Sequence, residues 1–139
     1  MSVPAGTLLQ YTWLDGTFCY LGVEEASLDY EMSSRTREQD HSFENYWPSA
    51  FIPIGTPGEG SRLLVNSLEG SATYGSVYEL TYVEGVSRIS ASLSQYFETL
   101  NACIANGALT VTEDGEVCIE FDGFRSIGRR MNPGCDYFD

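Results

Sequence analysis

Lysine is absent from this chain: all seven basic residues are arginine, set against 20 aspartates and glutamates, for a net charge of −13. That balance excludes a direct grip on nucleic acid, whose dense phosphate array calls for a cationic surface. No apolar run approaches the roughly 20 residues of a membrane helix, so no membrane-spanning role is expected. Histidine occurs once, at His41, and Cys19, Cys103, Cys118 and Cys135 form no Cys-x-x-Cys pair. No metal cage or cofactor motif follows from such a set. There is no Asn-x-Ser/Thr acceptor, and Met1-Ser2-Val3-Pro4 shows neither a basic n-region nor an apolar h-region. The expectation is a cytoplasmic protein whose cysteines stay reduced and mostly buried.

What is present describes a folded globule. Hydrophobic residues make up 42% of the 139 and aromatics 13%, which excludes wholesale disorder and suits one domain over 1–139. The acidic excess has two readings. It can simply keep the protein soluble, or it can attract basic partners and speed their encounter.

The pattern predicts helices first. Pro4 can start one in which Leu8, Leu9, Thr12 and Trp13 recur at near-helical spacing, with Trp13 in the core, until Asp15-Gly16 stops it. Phe18 to Leu21 reads as a short extended piece. Val23 to Arg37 reads as a surface helix with Glu24, Glu25 and Asp29 early and Arg35 and Arg37 late, matching the partial charges of its ends. Its apolar stripe is thin: Val23, Ala26, Tyr30 and Met32. Thr36 to Glu44 is polar enough for a mobile loop.

Strand signals follow. Arg62 to Leu68 and Ser76 to Val83 are strand-like, and Glu84-Gly85 turns the chain into Val86 to Ser90. Ser92 and Gln95 match a capping box, after which Leu93, Tyr96, Phe97, Leu100 and Ile104 share one helical face ended by Asn106-Gly107. Asp114-Gly115 marks a hairpin between Ala108–Glu113 and Glu116–Phe121, with Leu109, Val111, Val117, Ile119 and Phe121 on its buried face. A last helix, Phe124 to Met131, must end before Pro133. Helices followed by strands with one long helix inserted give an α+β fold with a mainly antiparallel twisted sheet.

The densest pattern lies between Tyr46 and Val83. Tyr46-Trp47-Pro48 precedes Phe51-Ile52-Pro53-Ile54-Gly55, a proline-bracketed apolar run that suits an edge strand or the start of a sheet. A glycine-studded loop and Leu63-Leu64-Val65-Asn66 come next. Nothing in it is catalytic. The loop lacks the Lys-Ser/Thr of a phosphate cradle and holds Glu59, which repels phosphate. His41 stands alone in a polar segment, the carboxylates Glu113, Asp114 and Glu116 belong to a turn, and Cys118 sits between Glu116 and Glu120, the wrong setting for a thiolate.

Trp47-Pro48 with Phe51-Ile52-Pro53-Ile54, the Gly58/Gly60 loop, Leu63-Leu64-Val65-Asn66, Gly75-Ser76-Val77-Tyr78 and the helix after Ser90 together resemble the SUKH superfamily, which includes the yeast Smi/Knr-type cell-wall synthesis regulator. Leu14-Asp15-Gly16 and Asn132-Pro133-Gly134 fit the same order, so the likeness runs from about Pro4 to Phe138. It implies a single domain with helices packed on one side of the sheet, lacking the family's usual first helix. It further implies a non-enzymatic immunity protein that neutralises a cognate secreted toxin. The alternative it carries is a regulatory or scaffold adaptor, and it leaves a homo-oligomer open. A nuclease toxin must show phosphate a basic groove, which an acidic inhibitor can occupy. Glu24, Glu25, Asp29, Glu31, Asp40 and Glu44 are the candidate acidic field, with Tyr46 and Trp47 as candidate anchors. Each has a plainer reading: a core tryptophan, and carboxylates that are merely solvated.

Overall fold

Proline sets the shape of the sheet. In this computed structural model, which describes residues 11–13, 16–56, 61–114 and 117–139, six strands run β1 Tyr11–Trp13, β2 Gly16–Tyr20, β3 Phe51–Thr56, β4 Arg62–Asn66, β5 Val77–Thr81 and β6 Gly85–Ser90. They pair in chain order, each antiparallel to the next. β2 meets β3 only at Gly55 and Thr56, so Phe51 to Pro53 has a strand neighbour on one side alone. Proline is tolerated there because its missing N–H breaks no ladder on the open side. The register slips between Pro53 and Gly55, at the bulge this run produces.

The open stretch is also closed off by its own chain. The Phe51 N–H donates to the Pro48 carbonyl at 2.9 Å, and the Trp47 indole donates to the Phe51 carbonyl at 2.8 Å. At the far edge, the Arg88 N–H of β6 donates to the Asp136 carboxylate at 2.7 Å. Edges occupied in this way offer little to a foreign strand.

Among the described residues, four α-helices cover the sheet: α1 Val23–Gln39, α2 Phe43–Tyr46, α3 Leu93–Ala105 and α4 Phe121–Met131. A hairpin of β7 Leu109–Val111 and β8 Val117–Ile119 joins the last two. Successive strand residues point to opposite faces, and here both faces are apolar. Leu63, Val77 and Ile89 meet Tyr96, Leu100, Cys103, Phe124 and Phe138 on the side of α3 and α4. Leu64, Tyr78 and Leu80 meet Trp47 on the side of α1 and α2. The α+β class and antiparallel sheet match the sequence reading, whereas the helices lie on both sides of the sheet and not on one.

Local chemistry explains the helix ends. Ser92 Oγ accepts the Gln95 N–H at 3.0 Å, as its spacing predicts. The Gln95 side chain does not close the box; it donates to the Met131 carbonyl and ties α3 to α4. The Glu120 carboxylate accepts from the Asp122 and Gly123 N–H groups and starts α4. Gly128 lets the Phe138 ring lie directly on α4, since any Cβ there would collide with it. After α4, buried Asn132 accepts from Ser90 Oγ at 2.6 Å and donates to Thr99 Oγ1 at 2.9 Å, joining sheet and helices through one satisfied amide.

Several expectations are corrected. Tyr11 to Trp13 is a strand paired with β2 and not the end of a helix; residues 4–10 of that expected helix, and the Trp13 side chain, lie outside the description. Aromatic and β-branched residues favour extended backbone, and β2 offers the partner. Only residues 40–42 of the expected loop at Thr36 to Glu44 are non-helical: α1 continues to Gln39, and α2 begins at Phe43. The buried face of α3 is Tyr96, Thr99, Leu100 and Cys103, so Leu93, Phe97 and Ile104 are partly in water. Phe121 is likewise 53% exposed, because it opens α4 and no longer belongs to the hairpin. The Val111 and Val117 side chains lie outside the description. Cys103 and Cys135 are free and buried, and Cys118 is free and exposed.

Candidate functional site

Helix α1 collects most of the carboxylates singled out in the sequence, and its packing decides which remain free. The face turned to the sheet is unusually polar. Ala26, Asp29, Tyr30, Ser33 and Arg37 lie against the molecule, while Val23 and Met32, expected there, are 85% and 66% exposed. Asp29 reaches Arg62 of β4 through two hydrogen bonds of 2.7 and 2.9 Å. It is therefore a fastener between helix and sheet and not part of a free acidic field. Arg37 is buried, donating Nε to the Trp47 carbonyl at 3.0 Å with its guanidinium 5.7–5.8 Å from the Tyr30, Phe43 and Trp47 rings. A cation stacked on aromatic faces keeps part of what it loses in dehydration.

The other predicted carboxylates sit as follows. Glu24 and Glu25 are exposed at the start of α1, where Glu25 also accepts the Gly22 N–H at 3.3 Å. Glu31 is exposed and pairs with Arg35 one turn on, at 2.6 Å; a bridge so open contributes little. Asp40 accepts from the Ser42 hydroxyl and N–H, bonds that hold its carboxyl below the usual aspartate range. Glu44 accepts from the Ser49 N–H and stands 3.2 Å from Arg37. Glu24, Glu25, Glu31 and the neighbouring Glu38 thus form one solvent-facing anionic surface, with Asp40 and Glu44 just beyond its end.

The two aromatic candidates differ. Trp47 is 5% exposed, in contact with Phe43, Arg37 and Arg62, which is the placement of a core residue. Tyr46 is half-buried with its ring 5.5 Å from Phe43; burial raises its hydroxyl pKa, nearby Arg62 pulls the other way, and Tyr82 adds to the rise.

What the sequence reading missed is apolar. Leu28 and Met32 are 62% and 66% exposed on one flank of α1, and Ile52 of β3 is 37% exposed beside the other. A groove of roughly 330 Å³ runs along the first flank, past Leu21, Glu25, Leu28, Asp29 and Met32 to Arg62. A second, roughly 470 Å³, lies between α1 and the open half of β3, lined by Leu21, Ala26, Tyr30, Ile52 and Ile54 among others. Side-chain spacing alone does not mark these positions, because the helix turns polar groups inward.

Positive charge gathers elsewhere. Arg125, Arg129 and Arg130 line a shallow groove on α4, across the sheet from α1. Among the described residues, none of the three has a carboxylate within ion-pairing distance, and Arg129 Nε donates to the Phe138 carbonyl. Also among the described residues, no three His, Cys, Asp or Glu side chains gather as a metal site, and no helix is long and apolar enough to cross a membrane. Comparison of the chain with protein-family models, curated proteins and solved structures gave no match.

Proposed function

We propose that this chain is an immunity protein of SUKH type, which binds a cognate basic toxin and blocks it by covering its working surface. The observation that carries the reading is helix α1, whose water-facing carboxylates stand beside exposed apolar side chains. Charge sets the encounter rate and apolar contact sets the lifetime of a complex, and α1 offers both. The net charge of −13 extends the attraction to any cationic groove, such as a nuclease needs for phosphate.

The test couples capture to protection. Tagged protein should retain a basic polypeptide in equal stoichiometry, and co-expression should protect a host from that polypeptide's toxicity. Replacing Glu24, Glu25 and Glu31 with glutamine should slow association about tenfold at low salt and far less at high salt. An on-rate indifferent to these changes, or a captured protein that is harmless alone, would overturn the reading.

A further inference from the structure

Single exposed apolar side chains need no explanation, but Leu28 and Met32 lie one helical turn apart on the same flank of α1 and wall a continuous groove with Leu21. Its floor is the Asp29–Arg62 pair, whose charges are mutually satisfied. Its rim is anionic: Glu25 lines it, and Glu24 and Glu31 flank it on the exposed face of the helix. Among the described residues, the cations near it are both held, Arg35 by Glu31 and Arg62 by Asp29. An acidic or phosphate-bearing occupant would meet net repulsion, since both arginines are already paired.

Strand addition is disfavoured too. The open part of β3 has its main-chain groups engaged by Pro48 and Trp47, and Pro53 brings no donor. An occupant must therefore bind through side chains, spaced to match a helical turn. We propose that the groove along Leu28 and Met32 receives an amphipathic cationic helix of the partner, its apolar stripe on these two residues and its basic residues over Glu24, Glu25 and Glu31. Packing of one helix along another places apolar residues at i, i+3 or i+4 and i+7 against such a flank. The proposal deepens the toxin-binding reading and rests on it for the identity of the partner.

The probe is a fluorescein-labelled peptide of about 18 leucine and lysine residues in amphipathic register, long enough to hold a helix. Its control is the same composition scrambled. Polarisation titrations against the full chain should show the patterned peptide binding at least about tenfold tighter. Leu28→Ser with Met32→Ser should erase that preference without shifting the melting temperature, since both side chains are mostly in water. Ile52→Ser, in the other groove, should leave it intact. Equal binding of the two peptides, or loss of preference in Ile52→Ser alone, would overturn the proposal. Toxin protection persisting alongside equal peptide binding would sink this inference and leave the proposed function standing, whereas peptide preference without any toxin would do the reverse.

Discussion

Trp47 holds two elements together with one side chain. Its ring fills the space between α2 and the sheet, 6.3 Å from Phe43 and 6.0 Å from the Arg62 guanidinium, while its N–H closes the exposed stretch of β3. Trp47→Ala should therefore cost about 3–5 kcal/mol, and Trp47→Phe, which keeps most of the bulk, should cost less and chiefly report the lost hydrogen bond, of order 1 kcal/mol. Urea unfolding followed by circular dichroism separates the two; a loss below about 1 kcal/mol for alanine would deny the residue its place in the core. A tryptophan before a proline-bracketed strand is readable in the sequence as important. Whether it faces inward is not, because that depends on Arg37 and Phe43 arriving from α1 and α2.

Helix α1 shows the same limit one level up. Its span follows from local signals: acidic residues in the first turn, arginine in the last. Its rotation does not. A reading that seeks a hydrophobic stripe buries Val23 and Met32, whereas the helix buries Ser33 and Arg37 and fastens through Asp29. Asp29 and Arg37 find their partners in Arg62 and the Trp47 carbonyl, beyond the helix, so the helix's own sequence does not contain the reason for its rotation. In α3, too, Thr99 and Cys103 displace Phe97 and Ile104 from the inner face, because Thr99 Oγ1 can satisfy itself on the Gln95 carbonyl. The pairing of β5 with β6 and of β7 with β8 is readable from the turn residues, although the first turn falls at residues 82–84, and Gly85, at φ +75°, already opens β6 opposite Thr81. The Asp29–Arg62 fastener should yield a coupling of about 1–3 kcal/mol in a double-mutant cycle built from Asp29→Ala and Arg62→Ala. Both side chains are largely shielded from solvent, at 17% and 22% exposure, so screening should be modest. A coupling within about 0.3 kcal/mol of zero would mean that the helix is held by its aromatic contacts alone.

At the scale of the whole molecule, the two-sided core leaves several ionisable groups in apolar surroundings. Burial lifts the Cys103 thiol from about 9 to about 11 and the Tyr20 and Tyr96 hydroxyls above the usual tyrosine value. Below pH about 9 the folded and unfolded chains hold the thiol proton alike, so its contribution is fully present. As pH climbs toward about 11 the unfolded chain ionises first, and stability falls. Urea midpoints should therefore decline across that window, and Cys103→Ala should make the decline shallower; an identical slope in the variant would show that the thiol takes no part.

The separation of α1 from α4 on opposite faces of the sheet has a mechanical outcome. Helix α1 turns its water-facing carboxylates to one face, and α4 brings Arg125, Arg129 and Arg130, with Asp122 among them, to the other, so a nearby cationic body pulls more on the first face than on the second. The molecule is turned as it approaches, and the face bearing Leu28 and Met32 leads. Fewer collisions are then wasted on the wrong side, so moving charge between the faces should alter capture even when the total is left untouched.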